Sequence, residues 1–464
     1  GMFVEAWLRR AARRRPDAVA IEAPEGNRSY GELYAAARAG ADALAERGVA
    51  QRERVALALP PGLAFAEAFH ACLLRGAVAV PVDLRLATAE RARVCAGAAL
   101  LIEEPLAGPW SGALSDISSA ERASARGASA GKVEEEEEEE EEPGERHDLD
   151  AVAAVIYTSG TSSEPKPVEL TYGNFLWSAF GSAVALGLDP KERWLCALPV
   201  SHVGGLSIVV RSAVYATTAV VHERFDTDRV LDGLMAQNVT LVSLVATTLA
   251  RLLDAGLARP PALRCALTGG GPVPEGLIER AREAGVPVGA TYGLTEACSQ
   301  VTTGGPPLFC TRVRIQEVPG GEPGAGEIMV SGPTVAPASR SLDGWLRTGD
   351  LGTLDEHGHL RVTGRLADTI VSGGENVAPA EVEAALESHP GVLEAAVLGR
   401  QDPDWGEAVA AIVVVRPDVE ISADALRAHC AAKLARYKVP KRIDFRATPL
   451  PRTRSGKLLR RELL

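Results

Sequence analysis

The sequence predicts an α/β fold with a large N-terminal domain of α/β sheets and a small mobile α+β C-terminal domain. Three observations carry this. Strand and helix patterns alternate through the first hundred residues, apolar runs spaced by helical stretches resume after Ala151, and the texture changes near Gly364-Arg365. A chain of 464 residues also exceeds the usual size of one hydrophobic core.

The elements follow in order. Ser29-Tyr30-Gly31-Glu32 has the layout of a capping box and opens a helix; Val55 to Leu59 reads as a buried strand, Leu63 to Leu74 as a helix and Ala77 to Val82, with Pro81 near its end, as the next strand. This βαβ rhythm implies a mostly parallel sheet. From 108 to 145 the pattern fails: Ala, Ser, Gly and then Glu dominate, so a disordered acidic surface insertion is expected. Runs at Ala151 to Tyr157, Trp194 to Leu198, Ala219 to Val221, Thr240 to Val245 and Cys265 to Leu267 predict a second sheet. The tail has its own helices (Pro379 to Ser388, Ala423 to Leu434) and a strand (Ala408 to Val415), so the expected division is 2–365 and 366–464.

The net charge of −12 belongs to one segment, because without the run Glu134 to Glu142 it falls to −3. Such a balance argues against a nucleic-acid partner, which would favour a basic surface. The seven cysteines (Cys72, Cys95, Cys196, Cys265, Cys298, Cys310, Cys430) lack CxxC pairs and neighbouring histidines at ligand spacing, which points to a reducing compartment and no structural zinc. No apolar run reaches the roughly 18 residues of a membrane span and the first residues lack a secretory layout, so a cytoplasmic protein is expected.

The strongest chemical signal is Tyr157-Thr158-Ser159-Gly160-Thr161-Ser162-Ser163-Glu164-Pro165-Lys166, a hydroxyl- and glycine-bearing loop with a lysine directly after a buried strand. Backbone N–H groups and hydroxyls suit phosphate oxygens, although the spacing is not GxxxxGK[ST]. Read alone, it is also a polar turn. Further motifs follow at Ala290-Thr291-Tyr292-Gly293-Leu294-Thr295-Glu296, Arg347-Thr348-Gly349-Asp350, Gly364-Arg365 and Pro451-Arg452-Thr453-Arg454-Ser455-Gly456-Lys457.

In this order the series resembles the adenylate-forming superfamily of acyl-CoA ligases, luciferases and peptide-synthetase adenylation domains. The resemblance implies a distorted β-barrel beside the sheets, ATP, Mg2+ and coenzyme A as cofactor and co-substrates, and activation of a carboxylic acid as its acyl-AMP. Carried onto this sequence, it assigns ATP binding to Thr158, Ser159, Gly160, Thr161, Lys166, Gly270, Thr291, Tyr292, Asp350 and Arg365. Lys457, Thr295 and Glu296 become catalytic, with Glu296 also the magnesium-associated residue. Gly373 and Gly374 lie in the loop used for coenzyme A. The chemistry suits these types, since joining a carboxylate to an α-phosphate brings two anions together and needs cations and donors. As single residues, Lys457 also reads as a lysine of a basic tail, Glu296 as a capping glutamate, Asp350 as a turn residue and Arg365 as a surface charge. Ser163, Pro167 and Ala367 depart from the superfamily's usual glycines and polar hinge residue.

Within the superfamily, Leu198 to Ser207, Leu267 to Pro274, Tyr292 to Gln300 and Ser372 to Val377 are most similar to the o-succinylbenzoate:CoA ligases of menaquinone biosynthesis. That implies substrate contacts at His202, Arg211, Gly269 and Gly293. The acid carries a second carboxylate, and Arg211, in the apolar stretch Leu206 to Val214, is either its partner or an arginine whose stem is buried and whose head reaches water. An aryl- or medium-chain acyl-CoA ligase, which needs no cation at 211, is the alternative enzyme. An inactive nucleotide-binding protein on the same fold is the alternative of another class. A homodimer is left open.

Overall fold

The computed structural model describes residues 1–106, 144–158, 165–319, 323–372, 375–403, 406–417, 419–452 and 458–463. Two sheets build the N-terminal domain. The first has the order Leu100–Ile102, Arg54–Leu57, Val78–Pro81, Val152–Thr158, Lys166–Thr171, parallel except for the last pair. The second runs Ser299–Thr303, Val288–Leu294, Cys265–Thr268, Leu241–Leu244, Arg193–Cys196, Thr218–Val221, Val19–Ala23, Gly26–Ser29, with antiparallel pairs only at its two edges.

The helices Leu63–Arg75 and Val203–Tyr215 are buried on nearly all sides, because each packs against both sheets at once. Phe65 and Phe69 meet Val55, Leu57 and Ile156 of the first sheet, while Leu63 and Ala66 join a core with Ile21, Trp194 and Leu241 of the second. Such all-round apolar helices are stable only as a buried middle layer. A four-stranded antiparallel sheet of Arg312–Glu317, Ala325–Ser331, Leu346–Leu354 and Leu360–Arg365 follows. A smaller C-terminal domain has its own sheet (Ile370–Ser372, Glu375–Val377, Val392–Asp402, Gly406–Val415, Arg442–Arg446) and a separate core of Val382, Leu386, Val397, Val413 and Leu426. No helix among the described residues is long and apolar enough to cross a membrane.

The expected capping box is present: Ser29 Oγ accepts from Glu32 N at 3.2 Å and Glu32 returns a bond to Ser29 N at 2.8 Å. Several bounds shift by a few residues. The first strand is Arg54–Leu57 rather than Val55 to Leu59, and the last helix ends at Ala431 rather than Leu434. The acidic run lies outside the described residues, but the insertion drawn to 145 is corrected at its end. Glu145 accepts from Ala6 N at 2.8 Å through its carbonyl and pairs with Arg9 at 3.0 Å, and Arg146–Asp148 forms a ribbon with Phe3–Glu5. Two residues before a strand are fixed by that strand's register, which a compositional boundary cannot register.

Candidate active site

The parallel strands of the second sheet deliver their carboxyl ends to one edge, where open α/β sheets place their ligands. Cys265–Thr268 ends there in Gly269-Gly270, and Val288–Leu294 carries Thr291, Tyr292 and Gly293 beside it. Glycine is required by contact: a Cβ on Gly269 would lie 2.5 Å from Thr291 Cγ2, and one on Gly293 would lie 1.9 Å from the Ser299 carbonyl oxygen. Gly270 has φ +78°, a left-handed conformation that suits glycine. Thr291 Oγ1 donates to the Thr302 carbonyl at 2.8 Å, closing the edge hairpin.

The strand then turns through Thr295–Ala297 into Cys298 and Ser299, whose φ values of +51° and +87° are uncommon for non-glycine residues. Glu296 sits in this turn with its carbonyl taken by Ala336 N at 2.8 Å. Its carboxylate has no hydrogen-bond partner among the described residues, so one hard oxygen group remains for a ligand. Magnesium is commonly held by one or two carboxylates with phosphate oxygens and water. Glu296 therefore fits that ion without a closed protein cage, and among the described residues no three-carboxylate or histidine cluster offers another site.

Asp350 brings three of the motifs together. It is buried in the strand Leu346–Leu354, where Gly349 (φ +71°) sits in an irregularity of the register with Ala325–Ser331. Tyr292 Oη donates to Asp350 Oδ2 at 2.7 Å, and Arg365 Nε donates to Asp350 Oδ1 at 2.9 Å. Asp350 and Arg365 are direct cross-strand partners, which fixes this pair by sheet register. Burial, then the neighbouring Asp350 carboxylate, raises the Tyr292 phenol well above its ordinary pKa, so it acts as a donor.

Glu327 belongs to the same site and was not singled out by sequence reasoning. It is buried, accepts from Gly349 N at 3.1 Å and from Arg347 Nε at 3.0 Å, and so braces the irregular stretch of strand that presents Asp350. A signal existed: Glu327 is a lone charge inside the apolar strand Ala325–Ser331, and such a charge needs partners.

The remaining positions divide. Thr158 and Lys166 are cross-strand partners on either side of the loop, and Thr158 Oγ1 lies 3.4 Å from the Lys166 carbonyl. Pro167 pairs with Tyr157 in this hairpin without breaking it. Ser159, Gly160, Thr161, Gly373, Gly374 and Lys457 lie outside the described residues. His202 opens the helix Val203–Tyr215, half-exposed, with Nε2 4.0 Å from Asp83. Burial tends to raise the Asp83 carboxyl pKa, but hydrogen bonds and charge from Arg85, with a smaller pull from His202, hold it below the usual range.

Arg211 stands nine residues, about 13 Å, further along that helix. Its head does not reach water: it is among the largest fully buried side chains. Arg211 Nη2 donates to Ser178 Oγ at 3.2 Å, its guanidinium lies 5.4 Å from the Trp194 ring centroid, and Nε has no partner. Ser178 Oγ donates in turn to the Cys298 carbonyl at 2.7 Å, which ties Arg211 to the strained end of the Thr295–Ala297 turn. Burial pulls the guanidinium pKa down, and among the described residues no carboxylate offsets it.

The chain has relatives among known proteins. Residues 8–338 match the model for AMP-binding enzymes and residues 381–457 that for the AMP-binding enzyme C-terminal domain. The 2-succinylbenzoate–CoA ligase of Geobacillus kaustophilus is 40% identical over 98% of this chain and 96% of its own length, and that of Bacillus subtilis is 39% identical over 98% and 97%. The solved o-succinylbenzoate CoA synthetase of Bacillus subtilis in complex with the acyl-adenylate intermediate superposes with a TM-score of 0.84 at 36% identity, covering 100% of this chain and 98% of that one. The same enzyme with ATP and magnesium ion gives 0.84 at 35%, covering 100% of both. Sequence and fold agree that the chain belongs to the AMP-binding enzyme family.

Proposed function

We propose that the protein is an ATP-dependent acid–CoA ligase that converts o-succinylbenzoate, ATP and coenzyme A to o-succinylbenzoyl-CoA, AMP and diphosphate. The observation that carries this is the Asp350 carboxylate held between Tyr292 and Arg365 at the strand edge, in a chain aligned end to end with 2-succinylbenzoate–CoA ligases. In the first step a carboxylate oxygen of the acid attacks the α-phosphorus, the bond to the bridging oxygen breaks and diphosphate leaves. In the second the thiolate of coenzyme A attacks the acyl carbonyl and AMP departs with the bonding pair.

The residues would act as follows. Asp350, oriented by Tyr292 and Arg365, accepts from the ribose hydroxyls, since each carboxylate oxygen has lone pairs beyond those already used. Thr158, Ser159, Gly160, Thr161 and Lys166 surround the phosphates, and Gly270, Thr291 and Tyr292 border the adenine. Magnesium, held through Glu296 beside Thr295, would supply neutralising charge to the phosphate oxygens. Lys457 meets the two anions of the adenylation step, and Gly373 and Gly374 serve coenzyme A. His202, Gly269 and Gly293 line the acid, with Arg211 at its second carboxylate. We divide the chain at 365/366, with 366–464 a lid that alternates between the half-reactions, and assign it to the cytoplasm, where ATP and coenzyme A are supplied.

Exchange of labelled diphosphate into ATP tests this reading. It should require o-succinylbenzoate and proceed without coenzyme A. In Lys457→Ala it should fall by orders of magnitude while thioester formation from supplied acyl-AMP survives; equal loss in both steps with an intact fold would remove Lys457 from the mechanism.

A further inference from the structure

The turn Thr295–Ala297, which carries Glu296, runs into strained backbone. Cys298 and Ser299 both lie in the left-handed region, and residues other than glycine stay there only where their surroundings hold them. Within the turn, Cys298 N donates to the Thr295 carbonyl at 3.0 Å. A single helical turn with one such bond is too short to hold its own conformation, so the restraint comes from packed neighbours.

One helix, Tyr172–Leu186, supplies that restraint from two sides. Its Asn174 and Ser178 are buried and four residues apart, hence on one face. Ser178 Oγ donates to the Cys298 carbonyl at 2.7 Å, just past the turn. Asn174 Oδ1 accepts from Thr171 N at 2.9 Å and so caps the helix, while Nδ2 donates to the Pro333 carbonyl at 2.8 Å and the Val335 carbonyl at 3.1 Å. These carbonyls fix the stretch that leads to Ala336, whose N–H holds the Glu296 carbonyl at 2.8 Å. The helix is itself anchored. Gly173 N donates to the Leu149 carbonyl at 2.9 Å, a Cβ on Gly173 would lie 2.8 Å from that oxygen, and Phe175 and Ala179 share a core with Cys298 and Ala336.

We propose that Asn174 and Ser178 are positioning residues for magnesium: together they clamp the Glu296 turn and so set where its carboxylate meets the ion. This rests on the reading of Glu296 as the magnesium-associated residue. Among the described residues no cluster of metal-ligating side chains surrounds Glu296, so no second protein ligand would correct a displaced carboxylate. The residue types fit the task. An amide and a hydroxyl are costly in so apolar a core, and here both hydrogens of the amide and the hydroxyl hydrogen go to backbone carbonyls of the turn and its brace. Ser178 Oγ also accepts from Arg211, so the two roles are kept apart by measuring without the acid.

Calorimetric titration of the full chain with α,β-methylene-ATP, without acid or coenzyme A, tests this, once with excess magnesium and once in EDTA. The ratio of the two dissociation constants measures what the metal adds. Ser178→Ala, and Asn174→Asp, which keeps the acceptor for Thr171 N, should each cut that ratio about tenfold, the scale of losing a group that orients a metal ligand, with affinity in EDTA unchanged. Glu296→Ala should cut it at least as far, and adding Ser178→Ala to it should change nothing more. Should Asn174→Asp fail to fold, Ser178→Ala decides. A ratio reduced by Glu296→Ala but not by Ser178→Ala would overturn the clamp alone, whereas a ratio unchanged in Glu296→Ala would overturn the reading of Glu296 and the clamp with it. Equal weakening with magnesium and in EDTA in Ser178→Ala would also overturn the clamp, because the contact would then serve the whole nucleotide site.

Discussion

Tyr292 and Asp350, 58 residues apart in sequence, meet through a 2.7 Å hydrogen bond that joins the edge of the large parallel sheet to the four-stranded sheet. The contact orients a carboxylate that Arg365 grips from the other side. Tyr292→Phe should raise KM for ATP about tenfold, the scale of a hydrogen bond to a charged group, and leave KM for the acid nearly unchanged. A variant that binds ATP normally would remove Tyr292 from the ribose side of the site.

Glu327 acts one step further back, through Gly349 and Arg347. Glu327→Ala leaves the Gly349 N–H without an acceptor and should weaken ATP binding tenfold or more; Glu327→Gln keeps an acceptor oxygen and should recover part of it. Isothermal titration with a non-hydrolysable ATP analogue separates the outcomes. If melting temperature falls in both while ATP affinity holds, Glu327 supports the sheet alone.

What could be read from sequence followed from period and spacing. The motif order led to Tyr292, Asp350 and Arg365, and the structure brings those three into contact. Glu327 escaped because its partners come from the neighbouring strand, and cross-strand register is not visible in a single segment. The same limit applied to Arg211. Its apolar surroundings signalled a need for a partner, yet only the packing of Ser178 and Trp194 shows a buried head whose Nε is left without one.

Arg211 then makes a sharp prediction about selectivity. Arg211→Gln should lower kcat/KM for o-succinylbenzoate by roughly a hundredfold, the scale of a charge-assisted contact of about 3 kcal/mol, while a monocarboxylate analogue loses little. Because the side chain is buried, Arg211→Lys and thermal melts accompany the assay. Equal losses for both acids would show that Arg211 serves the Ser178–Cys298 contact rather than the substrate.

Two buried histidines set a limit at low pH. Burial lowers the pKa of His70 to about 4, and burial aided by His70 lowers that of His147 to about 3, each from 6.5. The unfolded chain therefore binds more protons below pH 6.5. Their stabilising contribution is complete above that value and is lost as pH falls towards the folded pKa values, by about 2 kcal/mol for each histidine at pH 5. His147→Asn should flatten the dependence of unfolding free energy on pH between 4 and 6.5 in urea titrations; an unchanged slope would show that other groups dominate acid sensitivity.

The central claim is tested most directly by AMP release from the purified chain with ATP, magnesium, coenzyme A and a panel of acids. With o-succinylbenzoate the account predicts stoichiometric AMP and o-succinylbenzoyl-CoA, and a kcat/KM at least a hundredfold above those for benzoate and octanoate. Turnover of benzoates or medium-chain acids with none of o-succinylbenzoate would contradict it, as would the absence of AMP with every acid.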